Sequence, residues 1–320
     1  MMYMLMQQTR RNLKIFLKDK ANIFFSLLSP LIVLALYVLF LGRTQTDSMM
    51  EALTQMGLAS AASEKAVQAF CDSWMLVGCL SCACVTVPMC ACGSIIQDKK
   101  RGIAADLLAS PIPKWMPSAA YFLSVLAAGL AIAGAVLVIG FVWLAASGSW
   151  YLSFIDVLGC IGVLILSVLS SSTLLILVVS FLRSEGAFTG LNVIVGTVIG
   201  FFIGAYMPIT FFPKGIQYFT LFIPGSYSAG LFRNFGMGGA LDNISSNVSR
   251  EFADALAKDF SFTFDLFGTE IQPIAMALIL AATVVVFGAL NLVAIFVRTR
   301  RIKEKRHCGG GSAHTETSKK

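Results

Sequence analysis

The sequence is poor in charged residues. Of its 320 residues 13% are charged and 57% are hydrophobic, and its mean hydropathy is +0.80. Soluble domains carry about 25% charged residues, whereas a membrane span needs about 20 apolar residues in succession. Several runs in this chain reach that length. The composition therefore excludes an ordinary soluble protein and predicts an integral membrane protein with a single membrane domain.

Motifs for catalysis and for metal or nucleotide binding are also missing. The two histidines, His307 and His314, lie in the polar tail, and no H-E-x-x-H, G-x-S-x-G or G-x-x-x-x-G-K-[ST] pattern occurs. We therefore predict no catalytic residue, no metal site and no cofactor bound by this chain. The predicted spans lack interior charges, and ion-coupled carriers usually keep ionisable groups at mid-membrane. Ion coupling is therefore a poor explanation of the sequence.

The eight cysteines and the net charge of +7 have ordinary explanations in a membrane protein. Five cysteines fall within one apolar run between residues 79 and 92. Small side chains in such a run let helices pack closely, so neither a disulfide framework nor a metal site is predicted. The basic residues flank hydrophobic runs, which membrane topology explains. We expect no nucleic-acid partner.

Six hydrophobic runs predict six transmembrane helices in an all-α domain of residues 1–306. The predicted spans are about 21–42, 71–96, 118–146, 155–182, 187–206 and 273–297. Pro88 is expected to bend the second span. Residues 43–70 are predicted to be an external loop or short helix and 236–271 a second external loop. Residues 307–320 are predicted to be a disordered cytoplasmic tail.

The segment 207–235 is apolar, but three prolines divide it. Only ten residues separate Pro213 from Pro224, which is half a membrane crossing. We predict an external re-entrant hairpin of two short helices, shielded by the other spans. With six spans, 18 of the 24 Lys and Arg residues lie on the side of the termini and six on the other. The positive-inside rule then places both termini in the cytoplasm of a multi-pass protein in the cell membrane.

Residues 8–20 predict an amphipathic helix that lies in the membrane interface. Leu13, Phe16 and Leu17 share one side of this helix. The cations on its other side are Arg10, Arg11, Lys14 and Lys18. A signal peptide is the alternative reading, but the following run of 21–42 is longer than a typical signal core of about 7–15 residues.

Three motifs, in this order and spacing, resemble the membrane-spanning permease subunits of ABC-2 type exporters. The first is the basic helix followed by a proline-containing span, S-L-L-S-P-L-I-V-L (26–34). The second is the loop Q-D-K-K-R-G-I-A-A-D-L-L-A-S-P-I-P (97–113). The third is M-P-I-T-F-F-P-K-G-I-Q-Y-F-T-L-F-I-P-G-S-Y (207–227), which is followed by L-F-R-N-F (231–235).

The resemblance implies that the loop over 97–117 contains a coupling helix, which docks on a separate ATPase subunit. The residues it assigns to docking are Asp98, Lys99, Arg101, Gly102, Asp106, Leu107, Leu108 and Pro111. The interface helix would be the second contact with the ATPase. Family members often carry Glu three residues after the glycine, where this chain has Ala105. The alternative is a solvated loop whose basic residues only fix the topology.

The resemblance also implies an external gate in the re-entrant segment. The candidate gate residues are Phe211, Phe212, Pro213, Phe219 and Phe222, and the alternative for these aromatic rings is an interface belt. Asn192 and Thr197 are candidates for a substrate path, with hydrogen bonds between helices as the alternative.

We therefore expect the permease of an ATP-driven exporter, acting as a homodimer or with a close homologue in a lipid bilayer. ATP and Mg²⁺ would be bound by the partner ATPase. The apolar spans favour an amphipathic or hydrophobic cargo, such as a drug (multidrug export), an antimicrobial compound or a lipid-like molecule. A permease for lipid-linked polysaccharide is the nearest alternative, and an ATP-independent carrier or a membrane scaffold belongs to another class.

Overall fold

Helices form nearly all of the protein in the computed structural model. It describes residues 1–58, 60–110, 112–182, 184–266 and 269–309, and their side chains except at 41, 61, 62, 105, 108, 266, 269 and 297–309. The helices are α1 (Met2–Lys18), α2 (Lys20–Ser26), α3 (Leu28–Leu36), α4 (Gly42–Gln55), α5 (Ala61–Ala91), α6 (Gly93–Lys100), α7 (Ile103–Ala109), α8 (Met116–Ala146), α9 (Phe154–Phe181), α10 (Glu185–Phe202), α11 (Lys214–Thr220), α12 (Pro224–Asn247), α13 (Arg250–Asp259) and α14 (Pro273–Gly309). Smaller elements are a π-helical turn (Tyr37–Leu41), a 3₁₀ turn (Ile209–Phe211) and the antiparallel strands β1 (Phe264–Leu266) and β2 (Thr269–Ile271).

Five helices of the described chain are long and apolar enough to cross a membrane, and the bent pair α2–α3 is a sixth if it counts as one span. The predicted class, an all-α integral membrane protein, is confirmed apart from the short hairpin. Most predicted span limits fall within four residues of a helix end. The exceptions are α5, which begins ten residues before the predicted start of its span, and α14, which continues to Gly309.

The first hydrophobic run is bent by 48° between α2 and α3. Pro30 explains the bend, because proline has no N–H for the carbonyl four residues earlier and its ring clashes with that carbonyl. The carbonyl belongs to Ser26, and it accepts instead from the hydroxyl of Thr86 on α5 (2.6 Å). The backbone acceptor that the proline leaves free is thus satisfied by a neighbouring helix, as a membrane interior requires.

Helix α5 is the centre of the bundle. Helices α3, α8, α9, α10 and α12 pack against it. Its most apolar stretch is entirely buried, whereas few residues of the corresponding stretch of α14 are fully buried. Small side chains such as Cys82 and Cys84, both fully buried, let these neighbours approach closely. The cysteines with described side chains are free thiols: Cys71, Cys79, Cys82, Cys84, Cys90, Cys92 and Cys160.

The prediction for 207–271 is partly wrong. Two short helices and a following loop were predicted. The structure has the short helix α11, the 24-residue helix α12, the helix α13 and the hairpin of β1 and β2. Helix α12 runs twelve residues past 235 and is largely buried against α5 and α9. A Cβ on Gly239 of this helix would clash with the carbonyl oxygen of Tyr151. Glycine is there because the helix lies close against a neighbouring backbone.

Candidate functional site

Asp98, near the end of α6, joins three helices through one buried carboxylate. Arg11 on α1 binds it in a bidentate manner, with Nη1 donating to Oδ2 (2.9 Å) and Nη2 to Oδ1 (2.7 Å). The hydroxyl of Tyr121 on α8 donates to Oδ2 (2.7 Å). The residue is 3% exposed. Paired N–H donors on a carboxylate give a strong and directional contact, so α1, α6 and α8 are held together here.

The same contact acts on Arg11, which is half-buried. Its hydrogen bond to Asp98 raises the pKa of the guanidinium above the ordinary value, against the opposing effect of burial. Arg11 therefore stays charged at any physiological pH.

The two lysines that follow Asp98 bind different neighbours. Nζ of Lys99 donates to the main-chain carbonyls of Ser180 (3.2 Å) and Leu182 (3.2 Å) at the carboxyl end of α9. A cation at this position is favoured because the last carbonyls of a helix carry partial negative charge. Lys100 pairs with Glu185 in the first turn of α10. This second pair is exposed and contributes little to stability.

The three residues 98–100, which we call the α6 anchor, therefore connect the loop to α1, α8, α9 and α10. A left-handed residue, Gly102 (φ 77°), then turns the chain into the short helix α7. Arg101, directly before this turn, and Asp106 on α7 are exposed, and Leu107 is half-buried.

The resemblance assigns Asp98 and Lys99 to docking, but in this structure Asp98 is buried and Lys99 is half-buried. Both side chains point into the bundle. Asp98 binds Arg11 and Lys99 binds the carbonyl of Leu182, and these contacts account for two of the charged residues that precede Gly102. Arg101 and Asp106 remain available on the outside. Pro111 and the side chain of Leu108 lie outside the described residues.

The basic residues of α1 form a shallow groove beside this anchor. Arg10, Arg11, Lys14 and Lys18 line the groove, and all except Arg11 are exposed. On the other side Phe16 is buried and Leu13 half-buried, whereas Leu17 is exposed, contrary to the predicted apolar face. The helix packs mainly on α8.

The predicted gate residues lie on the surface of the chain. Phe211, Phe219 and Phe222 are exposed, the last by 84%. Phe212 is half-buried and Pro213 is exposed. The ring of Phe219 has an edge contact with Phe202 at the end of α10, with centroids 5.3 Å apart. A passage closed by the three exposed rings would need a further surface opposite them.

The structure separates the two residues predicted for a substrate path. Oδ1 of Asn192 accepts from the thiol of Cys90 on α5 (3.3 Å). Thr197 is exposed, and its hydroxyl donates to the carbonyl of Val193 in its own helix (2.9 Å). One residue thus faces the centre of the bundle and the other faces outwards.

Two buried charges were missed by sequence reasoning. Asp72 on α5 is 3% exposed and accepts from the hydroxyls of Tyr37 (2.6 Å) and Ser149 (2.6 Å). Arg233 on α12 is one of the six Lys and Arg residues that the six-span topology places on the external side, and it is buried among main-chain carbonyls. Each is a single charged residue inside an otherwise apolar stretch, which is the signal that could have identified it.

Taken together, the long apolar helices around α5 and the basic amphipathic helix at one end define a multi-pass membrane protein. Residues 4–235 match the ABC-2 type transporter family, and the chain belongs to that family. The match confirms the resemblance seen in the sequence. It identifies a permease component and implies an ABC ATPase partner and a membrane environment. A comparison with curated proteins finds no match.

Proposed function

We propose that this chain is the permease of an ATP-driven exporter whose energy comes from a separate ABC ATPase. The observation that carries the proposal is the α6 anchor, which leads directly into the exposed turn and α7. A force applied to α7 would reach α1 and α8 through Asp98 and the end of α9 through Lys99. A loop that only fixed topology would not need buried polar contacts to several helices.

The docking surface in this proposal is the outer face of residues 101–109, with the basic groove of α1 as a second contact. Arg101 and Asp106 would supply polar contacts and Leu107 and Leu108 the apolar ones. Gly102 supports this arrangement because its left-handed backbone sets α7 at an angle to α6. ATP and Mg²⁺ would be held by the partner, so closure of two ATPase subunits would push or pull on two copies of this loop.

The membrane arrangement we propose has six spans, with α2–α3 as the first and both termini in the cytoplasm of the cell membrane. Helices α11 and α12 would form the external re-entrant segment before the last span. The excess of Lys and Arg on the side of the termini supports this orientation. Within this arrangement the α6 anchor faces the cytoplasm, where the ATPase is.

For the transport path we propose a dimer of two permease copies that carries an amphipathic or hydrophobic cargo. The exposure of Phe211, Phe219 and Phe222 supports a gate that forms between copies, since each ring needs a surface opposite it. Apolar side chains in exposed positions on α10, such as Val193 and Ile194, support an apolar lining with Thr197 beside them.

Docking can be tested by replacing Leu107 and Leu108 together with Asp. Two carboxylates in place of these two leucines should abolish co-purification with the cognate ABC ATPase, while membrane insertion and yield stay unchanged. If these leucines are hot spots of the interface, their loss costs about 2 kcal/mol or more, which is a more than 20-fold loss of affinity. Leu58→Asp, an exposed leucine between α4 and α5, is the matched control. Unchanged co-purification of the double variant would remove the docking claim.

A further inference from the structure

Arg233 is the largest fully buried side chain of the described residues. It lies on α12 and is 2% exposed. Its Nη2 donates to the carbonyls of Ile203 (2.7 Å) and Gly204 (3.1 Å), and its Nη1 to that of Ser261 (3.4 Å). Its Nε, also buried, has no hydrogen-bond partner. All the acceptors the structure shows for this guanidinium are main-chain carbonyls.

A buried guanidinium without a carboxylate is costly, so its surroundings have to compensate for the charge. Two of the three acceptors follow directly after α10, which ends at Phe202. The carboxyl end of a helix carries partial negative charge on its unpaired carbonyls, and a cation placed there is stabilised. Arg233 therefore closes the end of α10 from a different helix. A methionine would fill similar space without the charge. The presence of a guanidinium therefore indicates that its hydrogen bonds, which hold α12 against the end of α10, are the reason for an arginine at this position.

The turn that receives Arg233 is shaped for it. Gly204 has a φ of 72°, in the left-handed region that favours glycine. A Cβ at this position would lie 2.6 Å from Nη2 of Arg233 and 2.7 Å from Cγ1 of Ile209. The turn also folds back on α10, because the N–H groups of Ala205 (2.8 Å) and Tyr206 (3.2 Å) both donate to the carbonyl of Gly200. Glycine is required here by both the backbone angle and the approaching arginine.

A third element joins the same cluster. The carbonyl of Ser261, which accepts from Arg233, lies in the connection after α13. The neighbouring Asn234 donates from Nδ2 to the carbonyl of Phe262 (2.8 Å). Two successive side chains of α12 thus bind two successive carbonyls of this connection.

We propose that Arg233 is a positioning residue that fixes the external segment 206–223 to the end of α10. With this contact in place, α10, α12 and residues 261–262 form one outer body. The exposed rings of the candidate gate must then move together with α10 and not by bending at the turn over 203–205. The consequence for gating rests on the proposed transport function, whereas the rigidity of the turn does not.

The test is hydrogen–deuterium exchange of the full-length chain in lipid nanodiscs without nucleotide, comparing wild type with Arg233→Met. The amides of Ile203, Gly204, Ala205 and Tyr206 are all hydrogen-bonded in the turn. Without the guanidinium they should exchange at least tenfold faster, while peptides of α5 and α8 keep their rates. Arg233→Lys, which retains a charge and donors, should stay closer to wild type. Arg250→Met, at an exposed arginine of α13, is the matched control and should change nothing.

Arg233→Gln provides a second variant if Arg233→Met is not recovered from membranes, because it removes the charge and keeps a polar side chain at this buried position. It should show the same local increase in exchange. Unchanged exchange over 203–206, or an equal increase in α5 and α8, would overturn the proposal. The measurement does not involve the ATPase, so its failure is separate from a failure of the docking experiment.

Discussion

At the residue scale, Asp98 decides which helices can move independently. Its two carboxylate oxygens accept from three donors on two helices, so α6 cannot shift without α1 and α8 or without breaking charge-assisted bonds. Such bonds are about twice as strong as neutral ones, and removing one partner leaves the others unsatisfied. The resemblance assigns Asp98 to contact with the ATPase, but in the structure its carboxylate binds side chains of this chain.

Replacing Asp98 with Asn should lower the stability of the purified chain by about 1–3 kcal/mol, because Arg11 loses its charged acceptor. We expect a similar loss for Arg11→Gln. The double variant should be no less stable than either single one, since both remove the same contact. Apparent melting temperatures from tryptophan fluorescence in detergent would measure these effects.

Arg101→Gln is the matched control for this set, since it removes an exposed charge three residues away and should change stability by less than about 0.5 kcal/mol. Strictly additive losses in the double variant would show that Arg11 and Asp98 act separately. A loss of ATPase coupling in Asp98→Asn at temperatures where the fold is intact would connect the contact to transport.

At the element scale, the spans could be predicted from the sequence because hydrophobic length alone determines them. Helix α12 could not, because glycine, serine and asparagine residues interrupt its buried apolar side chains, so no continuous hydrophobic run marks its length. The close approach of Gly239 to the backbone of Tyr151 is likewise invisible in the sequence. The partners of Asp72 and Arg233 could not be predicted either, because they are distant in sequence. Tyr37 and Ser149 lie 35 and 77 residues from Asp72 in sequence, and no local pattern connects them.

The bend of the first span gives a prediction at the same scale. Thr86→Val removes the hydroxyl that satisfies the carbonyl of Ser26 and should lower stability by about 1 kcal/mol, as is typical of hydrogen bonds between membrane helices. The loss should vanish in a Pro30→Ala background, where the N–H of residue 30 takes over that carbonyl. Thr173→Val is the matched control, because this buried hydroxyl bonds only to carbonyls of its own helix.

Melting temperatures of the four variants in detergent would measure this cycle. If Thr86→Val lowers stability equally in the wild-type and the Pro30→Ala backgrounds, the hydroxyl of Thr86 does not compensate for the hydrogen bond that the proline removes from the carbonyl of Ser26. The bend would then need another cause.

At the scale of the whole molecule, two buried carboxylates, Asp72 on α5 and Asp98 on α6, bracket the apolar part of the candidate span that these two helices form. The 25 residues between Asp72 and Asp98 carry no charge and correspond to about 38 Å of helix, enough for a hydrocarbon core of about 30 Å. Ser149 binds Asp72, and Gly239 of α12 approaches Tyr151 nearby. The late part of α12 therefore lies at the Asp72 end, and the α6 anchor at the other.

This arrangement predicts which side of the membrane each end faces. The side of the α6 anchor carries 18 of the 24 Lys and Arg residues in the six-span arrangement, so it should be cytoplasmic. Arg101→Cys and Ser246→Cys place thiols at exposed positions on the two sides. In intact cells a membrane-impermeant maleimide should label Ser246→Cys at least tenfold more than Arg101→Cys, and permeabilisation should remove the difference.

The control for this labelling is the chain with Cys308→Ser, which is also the background of both variants. Cys308 lies in the predicted cytoplasmic tail, and the other seven cysteines are buried thiols that should react little. Labelling of Arg101→Cys in intact cells would show that the orientation is the reverse of the one proposed. Helix α7 would then lie on the side away from any cytoplasmic ATPase. Equal labelling of both variants would contradict the six-span arrangement, since two sites on one side require an even number of crossings between them. The orientation therefore decides whether the α6 anchor can transmit force from an ATPase at all.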